Sequence, residues 1–300
     1  MKKIAVPFPY MGSKGRFYED IKQIFKDNYR ENFVDLFAGG LSVPLNLKND
    51  FKDIKVLANV KDEKMEALIK HSKNVYEIYQ RALTYLLEKS GGELISSRKI
   101  YKENRQLFDE MNKRFKEIYF KICPCCGKKI EGESELKIFT PDEKLIIKLL
   151  MGFGGMSESL GSVFYSKNKD ENLKKYLEQI QKIEVTTEPF QEKWSFSDSF
   201  IFLDPPYIQK TKMKEKNFIG YQYADCYGDE WSIEDDQRLV NFIKSNLEKN
   251  NVFLVFGSND NNLKKLIEKE IENPMFIEKI YKHQTFGNIT DKYEWFCLIK

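Results

Sequence analysis

The chain has 300 residues, of which 41% are hydrophobic and 32% charged, and its formal net charge is +3. This length allows a large buried core in one or two domains, and the small net charge excludes the strong global field of a highly basic nucleic-acid binder. The apolar runs fall well below the roughly 18 residues that a spanning helix needs, and Pro7 and Pro9 interrupt the start, so we expect a cytoplasmic protein without signal peptide or membrane anchor.

The predicted elements of the first 90 residues alternate between helix and strand. Apolar residues at helical spacing predict a helix over 16–30. Short apolar runs predict strands near 33–37 and 54–58. A second helix is predicted over 62–90, ending at Gly91-Gly92.

Two short motifs flank the first predicted strand. Pro9-Tyr10-Met11-Gly12-Ser13-Lys14-Gly15-Arg16 precedes it, and Asp35-Leu36-Phe37-Ala38-Gly39-Gly40 closes it. Glycines at a strand end let the backbone turn sharply and approach a ligand closely. Alone, the first motif could be a polar loop and the second an ordinary strand–helix turn.

The middle of the chain reads as helical and basic. Helices are predicted near 97–120 and from Pro141 to about Gly152. Residues 98–129 hold ten Lys or Arg and only four Asp or Glu, a net of +6. Such a segment suits contacts with phosphates, although a solvated helix face would show the same pattern.

Three cysteines cluster inside that segment. Cys123 and Cys126 have the C-x-x-C spacing of a zinc knuckle, and Gly127 permits the tight turn. A structural zinc site needs four ligands, and the other cysteines and both histidines are isolated in sequence. The knuckle could hold a structural zinc across a dimer or be half of a lost ribbon; a redox pair fits less well because no thioredoxin-like pattern surrounds it.

The last third returns to alternating strands and helices. A helix is predicted over 233–249. Strand patterns recur around it and at the end of the chain, near 183–187, 199–203, 252–256, 278–284 and 293–299.

The run Asp204-Pro205-Pro206-Tyr207 directly follows the strand predicted over 199–203. It therefore lies at the carboxyl end of a strand, where open α/β sheets bind their ligands. The prolines fix the backbone and lack N–H donors, so nearby carbonyls are free to accept hydrogen bonds. A carboxylate, a carbonyl and an aromatic ring suit an aromatic exocyclic amine, although the run alone could be a proline turn with a solvated Asp.

The three motifs in this order resemble the Dam-type DNA adenine-N6 methyltransferases, the D12 class with α-type motif order. In that family the first two motifs line the S-adenosylmethionine pocket and the third holds the target adenine. Further similar segments are Trp231-Ser232-Ile233-Glu234-Asp235-Asp236, Val255-Phe256-Gly257-Ser258-Asn259 and Gly287-Asn288-Ile289-Thr290-Asp291-Lys292-Tyr293-Glu294.

The resemblance implies a fold and a domain order. The fold class is α/β, a Rossmann-like S-adenosylmethionine-dependent methyltransferase sheet with an inserted, mostly helical target-recognition domain. The implied catalytic domain comprises 1–68 and 183–300. The recognition domain comprises 69–182, with a cysteine-knuckle insertion near 113–140.

The resemblance also assigns roles to residues. The implied catalytic residues are Asp204, Pro205 and Tyr207. The implied cofactor residues come from the first two motifs: Tyr10, Gly12, Lys14, Asp35, Phe37 and Gly39. Asp62, shortly after the second strand, is a further cofactor candidate by its position and not by the resemblance. DNA contacts are expected past the third motif, in the basic segment and in the base-reading segment of the family: Lys210, Lys212, Lys214, Arg105 and Ser157.

The implied reaction moves a methyl group to N6 of an adenine flipped out of double-stranded DNA. We expect a monomer or weak dimer with no membrane partner. Two alternatives remain open at this stage. The chain could methylate another amino group, such as cytosine N4, RNA or a protein amide, or it could be a DNA-binding pseudoenzyme with a weakened cofactor site.

Two departures from the family pattern bear on these expectations. The family places an acid after the second strand, and nucleotide-binding sheets expect one about 20 residues beyond the glycine turn, but this chain has Val60 there. Asp62 is the candidate substitute, and Asn59 is the weaker one. In the base-reading segment, 152–168, the Arg of the family is missing, so recognition of GATC is in doubt.

Overall fold

The computed structural model describes residues 3–10, 12–88, 102–123, 128–155, 157–161, 165–206, 231–258, 262–285 and 288–300. The chain divides into two compact units. The helical unit comprises Met1–Gly15, Gly39–Asn49 and Asp62–Lys182, and the sheet unit comprises Arg16–Ala38, Asp50–Lys61 and Ile183–Lys300. The functional domains implied above remain a prediction.

The described part of the sheet unit contains helices and strands that alternate along the chain. They are α1 (Tyr18–Asp27), β1 (Asn32–Asp35), β2 (Lys55–Asn59), β5 (Glu184–Thr186), β6 (Ser199–Leu203), α8 (Ile233–Leu247), β7 (Val252–Ser258), α9 (Asn262–Glu270), β8 (Met275–Thr285) and β9 (Asn288–Ile299). A 3₁₀ turn, Lys14–Phe17, precedes α1.

The strands form one seven-stranded sheet in the order β5-β2-β1-β6-β7-β9-β8. The first five are mutually parallel, and β9 is antiparallel to both β7 and β8. Because the order reverses beside β1, the crevice outside the carboxyl ends of β1 and β6 is the expected ligand position in such a sheet. The predicted α/β class is confirmed.

The sheet core has two different faces. On one face Phe25 of α1 packs edge-on against Phe33 and Phe200, with ring centroids 5.7 and 5.2 Å apart. On the other face α8 and α9 cover a mainly aliphatic layer that includes Ile201 and Val255. β6 is buried throughout, and β7 is buried at every residue except its last, because each face of the sheet carries helices. This burial explains their continuous apolar runs.

The described part of the helical unit contains mostly helices. They are α2 (Ser42–Asp50, whose last residue belongs to the sheet unit), α3 (Glu63–Lys70), α4 (Val75–Leu87), α5 (Arg105–Glu117), α6 (Pro141–Met151) and α7 (Lys167–Ile180), with a short hairpin of β3 (Phe120–Ile122) and β4 (Lys129–Glu133) and a 3₁₀ turn at Phe153–Gly155.

The single helix predicted over 62–90 is wrong. The N–H of His71 bonds the Ala67 carbonyl, and a turn follows before α4 begins. The turn contains Ser72 and Asn74, side chains that compete with the backbone for hydrogen bonds and favour turns over helix interiors. Gly91-Gly92 lies outside the described residues.

Capping chemistry fixes the helix starts that the sequence predicted. Thr140 and Glu143 form a reciprocal capping box ahead of Pro141, the first residue of α6. Ser232 and Asp235 form the same arrangement at the start of α8. Among the described residues, no helix combines the length and apolar character needed to cross a bilayer.

Candidate functional site at the carboxyl edge of the sheet

The catalytic candidates lie where β1 and β6 end side by side. Asp35 is in register with Phe202, and the Leu36 N–H donates to the Phe202 carbonyl at 3.3 Å. β6 ends at Leu203, so Asp204 is the first residue beyond it. The register thus brings the end of β1 and the start of the Asp-Pro-Pro run to one edge of the sheet.

The Asp-Pro-Pro run leaves β6 with trans peptide bonds. Pro205 is buried, whereas Asp204 and Pro206 are partly exposed. A partly exposed carboxylate at the end of a fully buried strand can meet a ligand without the full cost of burying an isolated charge. Tyr207 and the lysines Lys210, Lys212 and Lys214 lie outside the described residues.

Asp35 shapes the turn after β1. It is only 1% exposed, and its Oδ1 accepts the backbone N–H of Phe37 at 3.2 Å. This local bond uses the carboxylate to fix the direction in which the chain leaves the strand.

Three partly buried aromatic rings meet beside that turn. Phe37 packs edge-on against Trp231 at 5.4 Å and lies tilted to Phe190 at 5.6 Å. Sequence reasoning did not list Phe190 or Trp231 as site residues. An aromatic residue four positions beyond β5, at the ligand-binding edge, was the available signal for Phe190.

The end of β2 is closed to ligands by its own hydrogen bonds. The Asn59 amide donates to the carbonyls of Leu36 and Glu188, at 3.3 and 2.9 Å. Its oxygen accepts from the Thr186 hydroxyl and the Glu188 N–H, at 2.9 and 3.0 Å. An amide side chain has two donors and two acceptor sites, so Asn59 has none left for a ribose hydroxyl.

Val60 continues this closed end. Its side chain is 1% exposed, and its N–H bonds the Thr186 carbonyl at 2.9 Å. β2 itself ends at Asn59, so the strand does not carry on to Asp62.

Asp62, in the helical unit, caps α3. Its Oδ1 accepts the N–H groups of Lys64 and Met65 at 2.9 and 3.1 Å, and its Oδ2 lies 3.3 Å from the Lys64 ammonium. Its proposed role toward the cofactor therefore competes with a capping role worth about 1 kcal/mol.

The front motif and the glycine turn meet within the helical unit. Gly39 has φ +47°, and a Cβ on it would lie 2.8 Å from the Tyr10 ring, so that position requires glycine. The Tyr176 hydroxyl donates to the Gly40 carbonyl at 3.0 Å, and burial raises the pKa of Tyr176.

Lys14 belongs to the same part of the helical unit. It is 5% exposed, and its ammonium donates to the Gly12 carbonyl at 3.0 Å. Gly12 has φ +78°, a conformation that favours glycine. The front motif thus forms an ordered turn around the buried ammonium group of Lys14.

The segment that the resemblance assigns to base reading follows α6. Gly152 and Leu160 are bridged, and the Phe153 N–H donates to the Ser159 carbonyl at 2.7 Å. Ser157 is 7% exposed, and its hydroxyl accepts the Ser159 N–H at 3.1 Å, which favours a local role for this predicted DNA contact. Phe153, which sequence reasoning passed over, is 51% exposed on this loop.

The remaining candidates are a predicted DNA contact at the surface and the predicted zinc ligands, of which the structure describes only one. Arg105 is exposed and pairs with Asp109 at 3.1 Å. The hairpin of β3 and β4 frames the cysteine cluster, and the Cys123 N–H donates to the Lys128 carbonyl at 2.8 Å. The described residues hold no group of three His, Cys, Asp or Glu side chains placed to bind a metal, and Cys126 lies outside them.

The described residues fit S-adenosylmethionine in one respect and depart from its usual site in another. The turn after β1 carries Phe37, which packs with Phe190 and Trp231, and flat aromatic faces of this kind can stack on a nucleotide cofactor. The end of β2, in contrast, offers a buried valine and a saturated amide where a carboxylate for the ribose is expected.

The chain is similar to a known modification methylase. The chain is 23% identical over 254 residues to the modification methylase StsI of Streptococcus sanguinis. The match covers 81% of this chain but about a third of the relative's length (33%). The sheet order agrees with the Rossmann-like methyltransferase fold that the sequence predicted.

A family model covers nearly the whole chain. The model of the D12 class N6 adenine-specific DNA methyltransferases matches residues 10–289, from the front motif to the closing hairpin. The chain therefore belongs to the D12 class of N6 adenine-specific DNA methyltransferases.

Proposed function

We propose that the chain is a site-specific DNA methyltransferase that moves a methyl group from S-adenosylmethionine to N6 of an adenine flipped out of double-stranded DNA. The observation that supports this proposal is the register of β1 and β6, in which β1 ends at Asp35 and β6 ends directly before Asp204 at the same edge of the sheet. The relative's name, modification methylase, supports a role in restriction–modification.

In the proposed mechanism Asp204 and Pro205 activate the adenine amine. The N6 lone pair is delocalised into the ring and is a poor nucleophile. The Asp204 carboxylate and the Pro205 carbonyl each accept one N6–H bond, which favours a tetrahedral nitrogen with its lone pair turned toward the methyl group.

Asp204 then acts mainly through its charge. Positive charge would build on N6 as its bond to the methyl group forms and the C–S bond breaks, and a fixed carboxylate would stabilise that charge in the transition state. S-adenosylhomocysteine is the leaving group, and the surplus N6 proton would pass to water. When bound, S-adenosylmethionine supplies an electrophilic methyl group on a sulfonium; Tyr10, Gly12, Lys14, Asp35, Phe37, Gly39 and Asp62 are the residues proposed to hold it.

Tyr207 offsets part of the cost of base flipping. Unstacking a base costs a few kcal/mol, and stacking on an aromatic side chain returns about 1–3 kcal/mol. Lys210, Lys212, Lys214, Arg105 and Ser157 stay proposed DNA contacts. A reaction on chromosomal DNA would take place in the cytoplasm, with the protein as a monomer or weak dimer.

The end of β2 favours a second candidate function. A saturated Asn59 and a buried Val60 leave no carboxylate at the usual ribose position, so a DNA-binding pseudoenzyme with weak cofactor affinity is the competing proposal. Methylation of cytosine N4 or RNA would keep the same site with a different amine.

One experiment separates these functions. The chain is expressed in a host that lacks adenine methylation, and the host DNA is sequenced with detection of modified bases. N6-methyladenine at a defined sequence supports the proposal, and N4-methylcytosine would replace it. Unmodified DNA, together with purified protein that binds DNA but no S-adenosylmethionine at millimolar concentration, would favour the pseudoenzyme.

Zinc at the cysteine cluster stays a separate, structural proposal. If Cys123 and Cys126 contribute to a zinc site, purified protein contains the metal and Cys126→Ser loses it. Metal analysis at zero with an unchanged melting temperature would contradict the proposal.

A further inference from the structure

A buried carboxylate outside the three motifs, at the end of the similar segment Trp231–Asp236, ties the segments that follow β6 and β7 together. Asp236, in the first turn of α8, is 1% exposed. Its Oδ1 accepts the indole N–H of Trp231 at 2.8 Å, and its Oδ2 lies 3.4 Å from the Asn262 amide nitrogen. The backbone N–H of Leu263, at the start of α9, also donates to it.

Burying a carboxylate at this position costs free energy that a role in packing alone would not require. Burial raises the pKa of Asp236 because desolvation disfavours its charged form. Its neighbours on the helix, Leu239 and Val240, are fully buried apolar residues, so an apolar side chain would suit the same face. A carboxylate at this position is explained by the groups that it holds.

The group held most closely is Trp231. Its ring packs edge-on against Phe37 at 5.4 Å and is tilted to Phe190 at 6.3 Å. Phe37 also donates its backbone N–H to Asp35, at the end of β1. A chain of direct contacts therefore runs from Asp236 through the indole to the turn after β1.

All three rings are only partly buried and keep part of their surface exposed. Edge-on packing fixes ring orientation and leaves faces available to a flat ligand. The hydrogen bond to Asp236 removes the freedom of Trp231 to rotate, and Trp231 in turn restricts Phe37.

We propose that Asp236 is a positioning residue for the cofactor pocket, acting through Trp231 on Phe37. The inference rests on the proposed function, because that function gives Phe37 its cofactor role. Asp236 touches no reacting atom; it holds the aromatic wall in the orientation that binds S-adenosylmethionine.

The test is a double-mutant cycle on the full chain, read by calorimetry with S-adenosylmethionine. Asp236→Asn keeps the shape but removes the charge and replaces one acceptor oxygen with a donor, so Trp231, Asn262 and Leu263 compete for a single oxygen. Trp231→Phe keeps a ring but removes the indole N–H. Each single variant is expected to weaken cofactor affinity about tenfold. The double variant is expected to lose no more affinity than the single variant that binds the cofactor less tightly.

Asp235→Asn is the matched control. It makes the same chemical change one residue away, in a carboxylate that bonds Ser232 and Arg238 instead of Trp231. We expect its cofactor affinity to stay within about twofold of the parent. In turnover assays, Asp236→Asn should raise KM for S-adenosylmethionine and leave KM for DNA unchanged.

Several outcomes overturn the inference. If the parent protein binds S-adenosylmethionine and the Asp236→Asn variant binds it equally well, Asp236 contributes to stability alone. This conclusion holds whatever the melting temperature of the variant. Additive losses in the double variant would show that it does not act through Trp231. If Asp236→Asn does not fold, unchanged affinity of Trp231→Phe is sufficient to reject the idea. A parent without cofactor binding rejects the proposed function and this inference together.

Discussion

Strands β6 and β2 end at the same edge of one parallel sheet, but they end differently. After β6, Asp204 is partly exposed and is followed by two residues without N–H donors. At the end of β2, the Asn59 side chain uses all of its donors and acceptors in hydrogen bonds to neighbouring residues, and Val60 is buried. A place at the ligand-binding edge is therefore not enough for a binding role; the group must also have hydrogen-bonding capacity left.

The largest expected effect lies at the β6 end. Asp204→Ala should lower methyl transfer at least about a thousandfold, or ~4 kcal/mol, because the developing charge on N6 loses its carboxylate. Binding of cofactor and DNA should persist to within about tenfold, or 1.4 kcal/mol. Tritium transfer measures turnover and calorimetry measures binding; substantial residual turnover would remove Asp204 from the mechanism.

At the β2 end the expected effect is on folding. Asn59→Ala leaves two carbonyls and the Glu188 N–H without a partner, so unfolding free energy should fall by about 1–3 kcal/mol. Cofactor affinity should stay within about threefold. Denaturant titration gives the stability change, with Asn32→Ala as control, since Asn32 makes one exposed 3.4 Å bond and should cost below ~0.5 kcal/mol. A tenfold loss of cofactor affinity in Asn59→Ala would contradict the structural role.

An acidic residue at position 60, directly after β2, should give the end of this strand a group that can bind the cofactor ribose. Val60→Asp is expected to tighten S-adenosylmethionine binding by roughly tenfold or more, because a ribose hydroxyl gains a charged partner worth about 1.5–3 kcal/mol. Val60→Asn, of similar size but neutral, is the control for charge.

If Asp62 is the residue that binds the cofactor ribose, the expected results for position 60 and position 62 are reversed. If Val60→Asp leaves affinity unchanged while Asp62→Ala abolishes it, Asp62 is the ribose partner despite its capping bonds. The melting temperature of Asp62→Ala must be measured beside its affinity, since losing the cap alone costs about 1 kcal/mol.

The smallest expected effect concerns the lysines beyond the β6 end. If Lys212 and Lys214 bind phosphates, neutralising them should flatten the log–log salt dependence of DNA affinity by about 0.9 for each phosphate that is no longer neutralised. Lys244, an exposed residue of α8, is bonded to Glu270 of α9, and Lys244→Ala should leave the slope unchanged. Equal slopes for all variants would assign Lys212 and Lys214 to solvent.

Much of the fold could be predicted from local sequence. The strand over 199–203 was predicted at its observed bounds because a short buried run with a proline stop admits few alternatives. α6 was predicted from Pro141 for the same kind of reason. In contrast, α2, α7 and α9 were not predicted individually, and the helix over 62–90 proved to be two, because weak turn propensities at 71–74 are decided by packing.

The sequence by itself determined the class of the protein. The order of three motifs, each at a strand end or loop, indicated a D12-type methyltransferase, and the family match confirmed it. Motifs are readable because their chemistry demands particular residues within a few positions.

Only the tertiary structure decided which polar groups remain available. The saturation of Asn59 depends on Leu36, Thr186 and Glu188, and the burial of Asp236 depends on Trp231 and the start of α9. Hydrogen-bonding capacity is set by partners that are distant in sequence, so residue type and spacing alone cannot show whether a side chain is spent or free to bind.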